Sequence, residues 1–236
     1  MNTNKVLVLG DGLLGSELVR QTGWDYVSRK KDGIDFTQLI SYYSYILNYD
    51  VILNAIGSTD TYSKNLENHW KVNFEGVVNL VDACVYAGKK LCHISTDYLY
   101  SSSHYNASET TVPVHAGNWY SYTKLLGDGY VQLKMNNYLL VRTSFKKRPF
   151  PHKKAMLNLR GNFEYVDEIA TKIINLVNFG AIGLYNVGGI EKSMYDLAQE
   201  TVPDVEVMYD SVDVSMPTNV TMNLSKLHEF ERKYKL

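Results

Sequence analysis

Cysteine is nearly missing: only Cys84 and Cys92 occur in 236 residues. One falls in an expected helix and the other in an expected strand, with no metal-ligand spacing around either. That pattern excludes a disulfide framework and a thiolate metal centre, and it is what buried thiols in a reducing cytosol look like. An excess of one charge is missing too. Lys+Arg number 24 against 25 Asp+Glu, a net charge of −1, whereas a binder of phosphate backbones carries a basic face; nucleic acid is not an expected partner. Long apolar runs are absent. Val6-Leu7-Val8-Leu9 is broken at once by Gly10, Asp11 and Gly12, too short for a signal-peptide core, and no other run would span a bilayer. No membrane partner and a cytoplasmic location are therefore expected. Internal repeats and low-complexity tracts are also lacking.

What is present is an alternation of short aliphatic runs with longer segments of helical period, the pattern of βαβ units and a parallel sheet. The spacing predicts strands over 5–9, 25–28, 51–55, 91–95, 138–142 and 184–187. It predicts helices over 13–21, 37–45, 67–87, 120–135, 166–179 and 193–200, and a last helix over 224–234. Residues 146–162, with Pro149, Pro151 and five Lys/Arg between 146 and 154, show no clean period and read as an irregular excursion. The expected class is α/β: a Rossmann-type doubly wound parallel sheet with a small C-terminal substrate-binding portion. Residues 1–144 would form the dinucleotide-binding core. Residues 145–236 would form a reduced substrate-binding portion interleaved with the last sheet elements.

Gly10-Asp11-Gly12-Leu13-Leu14-Gly15 is a G-x-G-x-x-G after a predicted strand and opening a predicted helix, the context a dinucleotide fingerprint requires. Gly10 would permit the tight turn, Gly12 the approach of a pyrophosphate and Gly15 close helix–strand packing. The helix N-terminus would supply N–H groups and partial positive charge to phosphates, through Leu13 and Leu14. After the second strand, Ser28-Arg29-Lys30-Lys31 places cations where an NAD-restricted site has an acid, so NADP(H) is preferred over NAD(H); the same cations also suit a solvated loop. Asp35-Phe36 stands where a carboxylate would meet the adenine amino group. Ala55, Ile56 and Gly57 end the third strand, small enough at Ala55 and Gly57 for close approach by a cofactor, or simply for a tight strand end.

Ser95, Thr96 and Asp97 close a central apolar strand, at the carboxyl edge where doubly wound sheets bind ligands. Tyr120 and Lys124 are spaced i, i+4 on a predicted helix, on one face and one turn apart. A free tyrosine titrates near pH ~10 and a cation within ~4–6 Å stabilises its phenolate, so Lys124 is positioned by spacing to tune Tyr120. Thr96 would hydrogen-bond a substrate carbonyl while Tyr120 delivers a proton to it. With 19 tyrosines and 24 Lys+Arg in the chain, the spacing also arises by chance on a solvated face. Ser95-Thr96-Asp97 equally suits a turn closure. The tyrosines at 42, 43 and 45 read as a half-buried helix edge, not a stacking platform, and His152 as a surface imidazole.

Taken together these residues resemble the extended short-chain dehydrogenase/reductase superfamily and, within it, the dTDP-4-dehydrorhamnose reductase family. The likeness runs through Gly10–Gly15, Asp35-Phe36-Thr37, Asn54-Ala55, Val72-Asn73 with Gly76, His93–Tyr100, Tyr120–Lys124, Val141–Ser144, Tyr165–Ala170, Tyr185–Gly189 and Ser193–Ala198. It implies Thr96, Tyr120 and Lys124 as catalytic residues, Lys124 on the nicotinamide ribose, Asn73 supporting the helix beneath the site, and a homodimer built on the helices near 67–87 and 120–135. It implies reduction of a keto-deoxy nucleotide sugar by NADP(H). Tyr98 stands where nucleotide-sugar dehydratases carry Glu, which tells against elimination. The family's longer sugar-wrapping segment after Ser144 is compact here, and Lys146 and Arg148 are its candidates for a substrate diphosphate. A dinucleotide-binding regulatory protein without turnover and a nucleotide-sugar epimerase are the alternatives.

Overall fold

Alternation within each aliphatic run decides the architecture. Val6 and Val8 point to one side of a sheet and Leu7 and Leu9 to the other, and all four are buried. A strand apolar on both faces needs helices on both. The structure, a computed structural model, describes residues 4–101, 105–111, 118–209 and 217–236.

In chain order, β1 (Val6–Leu9) leads into α1 (Leu13–Thr22), and β2 (Asp25–Val27) into the short α2 (Arg29–Asp32). A 3₁₀ turn at Leu39–Ser41 and α3 (Tyr43–Ile46) precede β3 (Val51–Asn54). Next come α4 (Leu66–Trp70), a π-helical turn (Lys71–Glu75), α5 (Gly76–Tyr86) and β4 (Lys90–Ile94). A 3₁₀ turn at Asp97–Tyr100, α6 (Trp119–Lys134) and β5 (Tyr138–Thr143) follow. The remainder comprises β6 (Phe145–Lys146), β7 (Lys154–Met156), β8 (Arg160–Gly161), β9 (Glu164–Tyr165), α7 (Val166–Asn178) and β10 (Gly183–Val187). Last are β11 (Lys192–Ser193), α8 (Met194–Gln199), β12 (Glu206–Met208), β13 (Asn219–Val220) and α9 (Ser225–Tyr234).

The six expected strands form one parallel sheet in the order β10-β5-β4-β3-β1-β2, the doubly wound architecture expected from the sequence. Val51, Leu53, Cys92, Leu139 and Val141 join Val6 and Val8 on the face covered by α1, α7 and α9. Ile52, Leu91 and Leu140 join Leu7 and Leu9 beneath α5 and α6. The chain leaves β1 in one direction to β2 and returns to β3 on the other side, with Leu9 beside Asn54. The crevice at this reversal, outside the carboxyl ends of β1 and β3, is where such sheets bind ligands.

Three expectations are corrected. The helix expected over 37–45 is a 3₁₀ turn and one turn of α-helix, because Asp35 and Ser41 compete for the backbone. Asp35 Oδ1 accepts from Thr37 N at 2.9 Å, and Ser41 Oγ both accepts from Asp35 N and donates to main-chain oxygens; such local bonds displace helical ones. Tyr42 there is fully buried and stacks on Phe36, while Tyr43 is half-buried and Tyr45 exposed. The helix expected over 67–87 exists but passes through the π turn, where Asn73 reaches sideways to Ser58. Residues 146–162 are not irregular: β6 pairs with β9, β7 with β12, and β8 with β11 and β13. These short ladders enclose a third apolar cluster around Phe150, Phe163, Tyr165, Leu197 and Val220.

Candidate active site

The three glycines of the first turn do different jobs. Gly10 has φ +100°, a conformation L side chains rarely adopt. A Cβ on Gly15 would sit 2.1 Å from the Gly10 carbonyl oxygen, so only glycine lets α1 lie this close to β1. A Cβ on Gly12 would meet nothing within 4 Å, because this residue faces a cleft of about 880 Å³. Gly12 is also the N-cap of α1; it provides no side-chain cap, and the first turn holds no acid. Its N–H groups are thus left for an anion. Leu13, Leu14, Ala55, Ile56 and Gly57 line the same cleft.

Opposite them stand Thr96, at the end of β4, and Tyr120 and Lys124, on α6. The Asn118–Ser121 capping box, with Ser121 N donating to Asn118 Oδ1 at 2.9 Å, starts α6 one turn before Lys124. A buried ion pair, Arg142 Nε to Asp128 Oδ2 at 3.1 Å, ties the helix to β5. Arg142 also donates to the Tyr100 phenol at 2.8 Å, and Tyr100 in turn to Asn186 Oδ1 at 2.9 Å. Beneath the cleft, Asn73 accepts from Ser58 N at 2.8 Å and donates to Ser58 O at 2.9 Å. The His69 ring nitrogens lie 3.1 and 3.0 Å from the carbonyls of Ser58 and Asp60. These contacts hold the segment whose Thr59, Thr61 and Tyr62 line the cleft, residues that no sequence signal singled out.

The electrostatics differ from the sequence expectation. Burial pushes Tyr120 up to about 12; the Thr96 hydroxyl, its hydrogen-bond partner, pulls it down, and the charges of Asp97 and Asp128 push it further up. Lys124 is spent elsewhere: Nζ donates to Ile94 O at 2.6 Å and lies 3.4 Å from His93 Nε2. Burial brings Lys124 down to about 8 against the pull of Asp128. Behind it, Ile56 N donates to Asn54 Oδ1, which aims the Asn54 amino group at His93 Nδ1, 3.2 Å away. Burial first, and the Lys124 charge second, hold His93 well below its ordinary range. His93 was legible only as one polar residue inside the apolar run Leu91-Cys92-His93-Ile94.

Not every predicted residue reaches the cleft. Ser28 is buried as the N-cap of α2 and donates to Asp11 Oδ2 at 3.0 Å, while Arg29 is exposed at the start of that helix. Asp35 is engaged by Thr37, whose hydrogen bonds lower its pKa. Phe36 is core, packed on Tyr42 and against Gly76. Arg148 turns away, bonding Asp167 at 2.9 Å and lying over the Tyr165 ring at 4.2 Å, so the structure does not bring it together with the substrate candidates Thr96 and Lys146. Lys146 does line the cleft, where its charge stabilises the Asp97 carboxylate. Asp97 itself is fully buried, and burial raises it to about 7.

Comparison with known proteins agrees with this geometry. The dTDP-4-dehydrorhamnose reductase of Mycolicibacterium smegmatis is 29% identical over 154 residues, which is 61% of this chain and 46% of that protein. The chain spans about half the length of the curated relatives it matches. A dTDP-4-dehydrorhamnose reductase from Bacillus anthracis, solved in complex with NADP, superposes with a TM-score of 0.83 at 20% identity, covering 96% of this chain and 92% of that one. The Bordetella bronchiseptica enzyme WbmH, in complex with NAD⁺, gives 0.77 at 14% identity, covering 99% and 100%. Both structures share the fold. The family described as RmlD substrate binding domain matches residues 4–173. That span takes in the glycine turn, Thr96, Tyr120, Lys124 and the first half of α7, and the chain belongs to this family.

Proposed function

We propose that the protein binds a nicotinamide dinucleotide across Gly12–Leu14 and Ala55–Gly57 and reduces a keto-deoxy nucleotide sugar of the dTDP-4-dehydrorhamnose kind. The observation that carries this reading is the convergence of Thr96, Tyr120 and Lys124 on one cleft with the glycine turn opposite them. The cleft fits the dinucleotide: Gly12 leaves space, and the uncapped start of α1 offers N–H groups to phosphates. When bound, the cofactor supplies hydride to the carbonyl carbon. Burial keeps Tyr120 protonated at neutral pH, loaded as a donor to the carbonyl oxygen. Thr96 holds that oxygen by a second hydrogen bond. Lys124, buried one turn along, positions the ribose edge of the cofactor.

NADP(H) is the preferred cofactor, since Arg29 stands exposed at the end of β2 where a 2′-phosphate would carry roughly −1.5 to −2 charge. The outer cleft joins cations, Lys146 and Lys147, to the apolar Phe150, Met156, Met194 and Met208, a lining suited to a substrate with both charged and apolar parts. The complete Thr96, Tyr120 and Lys124 set favours turnover over binding alone. NADPH oxidation with dTDP-4-dehydrorhamnose and a panel of other keto-deoxy nucleotide sugars tests the reading. Turnover with NADPH above NADH, and loss of that preference in Arg29→Ala, are expected. A protein that binds NADPH and reduces nothing in the panel would overturn the reductase reading.

A further inference from the structure

Asn54 and His93 are buried polar residues that take no part in the chemistry proposed for the cleft. They stand side by side on the adjacent strands β3 and β4, and both are 0% exposed. Polar side chains at the centre of a sheet cost stability unless they are hydrogen-bonded, and an apolar pair would fill the space without that cost. Their bonds run along one line. Ile56 N donates to Asn54 Oδ1 at 3.1 Å, Asn54 Nδ2 lies 3.2 Å from His93 Nδ1, and His93 Nε2 lies 3.4 Å from Lys124 Nζ. The two ends of the line, Ile56 and Lys124, both line the cleft, whereas Asn54 and His93 lie behind it. Ile56 also packs on the glycine turn, where a Cβ added to Gly10 would meet Ile56 Cγ1 at 2.8 Å. A row of hydrogen bonds thus crosses β3, β4 and α6, from the seat proposed for the dinucleotide to the lysine proposed for its ribose.

We propose that His93 is a positioning residue for Lys124, held in place by Asn54, and that the pair fixes the direction in which Lys124 meets the cofactor. The inference rests on the cofactor-binding part of the reductase reading. Lys124 Nζ donates to Ile94 O at 2.6 Å. That one bond sets the distance from the carbonyl but leaves the nitrogen free to swing around it. The His93 ring supplies the second point. An ammonium has three N–H bonds: one goes to Ile94 O, one to a lone pair on His93 Nε2, and one remains. A neutral amine has two N–H bonds and a lone pair: one N–H goes to Ile94 O, the lone pair accepts from a protonated Nε2, and again one N–H remains. In either state a single N–H is left for the cleft that Lys124 lines. Asn54 keeps the ring from turning. The Ile56 N–H can only donate, so it holds Asn54 Oδ1 and leaves the amino group facing His93 Nδ1. Because the same carboxamide grips the Ile56 peptide, the strand end at Ala55–Gly57 and the lysine are set from one residue. Burial and the Lys124 charge keep the ring neutral, so it adds no second cation beside the lysine.

The test uses the two amides that divide the imidazole between them. From the same backbone, Gln carries its polar atoms about as far out as Nε2 and Asn about as far as Nδ1. His93→Gln therefore keeps a partner for Lys124, and His93→Asn keeps one for Asn54. With NADPH affinity read by fluorescence, His93→Asn should weaken binding about 3–10-fold, the worth of one net hydrogen bond, while His93→Gln stays within about twofold of wild type. In a Lys124→Met background His93→Asn should add no further loss, because a residue that acts through the lysine has nothing left to act on. With dTDP-4-dehydrorhamnose as substrate, KM for NADPH should rise in His93→Asn and KM for the sugar should not. Affinity kept in His93→Asn and lost in His93→Gln, the same loss with and without Lys124, or both KM values rising together would overturn the proposal, since the ring would then serve only the sheet. A second readout needs no cofactor. In protein carrying ¹⁵N-imidazole histidine, the ring resonances missing from His93→Gln should shift in Lys124→Met and in Asn54→Ser. A ring indifferent to Lys124→Met would overturn the proposal even where no dinucleotide binds. A wild type that binds no NADPH while those resonances shift as expected would instead count against the cofactor-binding reading.

Discussion

Two substitutions in the same glycine turn should fail in opposite ways. Gly12→Val places its side chain in the open cleft, since nothing lies within 4 Å of the new Cβ and φ is −66°. Its cost to the fold is the exchange of a tolerated N-cap for a poor one, about 0.5–1 kcal/mol, or a fall in Tm of about 1–4 °C for a chain of this size. The same side chain occupies the approach to the pyrophosphate, so NADPH binding should be lost. Gly15→Ala meets the Gly10 carbonyl oxygen at 2.1 Å, and that backbone is pinned because Gly10 N donates to Val27 O at 2.9 Å. Relief requires α1 to move off the sheet, with an overpacking cost of about 1–3 kcal/mol or more. Tm should fall by roughly 2–12 °C. Thermal unfolding by circular dichroism and NADPH binding by fluorescence, measured on both proteins, separate the two. If Gly12→Val still binds NADPH, the cofactor does not lie on this turn. If Gly15→Ala unfolds with wild type, the close approach of α1 to β1 is not what the glycine secures.

Tyr120→Phe should lower kcat by ~10²–10⁴-fold with NADPH affinity kept, whereas Lys124→Ala should lower both; a Tyr120→Phe enzyme near wild-type turnover would defeat the proposed acid. Asp97 also bears on stability. Its folded pKa, about 7, lies above the ordinary aspartate value of 3.8, so the native state binds the extra proton between those values and stability should fall as pH rises across that window. At pH 8 Asp97→Asn should be the more stable protein, by up to about 4 kcal/mol at 1.36 kcal/mol per unit, and at pH 4 the gain should vanish. Denaturant unfolding at the two pH values reads it, and equal differences at both would refute the raised value.

The sheet was legible because strands buried on both faces must be apolar at every position, as Val6–Leu9 and Val51–Leu53 are. The ladders after β5 were not, because strands of two or three residues such as Phe145–Lys146 and Arg160–Gly161 carry no period to detect. Segment 37–45 misled for a different reason: its spacing is helical, but Asp35 and Ser41 bond the backbone more effectively than the next turn would. In the site, what covalent spacing carries was readable. Gly10 makes the turn and Gly15 the close packing that their order implied, Gly12 opens onto the cleft, and Tyr120 and Lys124 share that cleft with Thr96. What depends on partners distant in the chain was hidden. His93 lies 31 residues before Lys124, and Asp167 lies 19 residues after Arg148; neither pairing leaves a mark on local pattern.

The Tyr120–Lys124 pair shows why spacing alone does not settle tuning. An i, i+4 relation brings two side chains to one face, but a long lysine side chain goes to whichever acceptor best repays its burial. Here that acceptor is the Ile94 carbonyl at 2.6 Å, because β4 ends directly under α6 and its last carbonyls would otherwise lack partners. Tyr120, deprived of that cation and enclosed beside two carboxyls, rises to about 12 instead of falling. A phenol so placed is held protonated at neutral pH. The rise at Tyr120 and the rise at Asp97 share one leading cause, the burial of the end of β4 beneath α6 and β6.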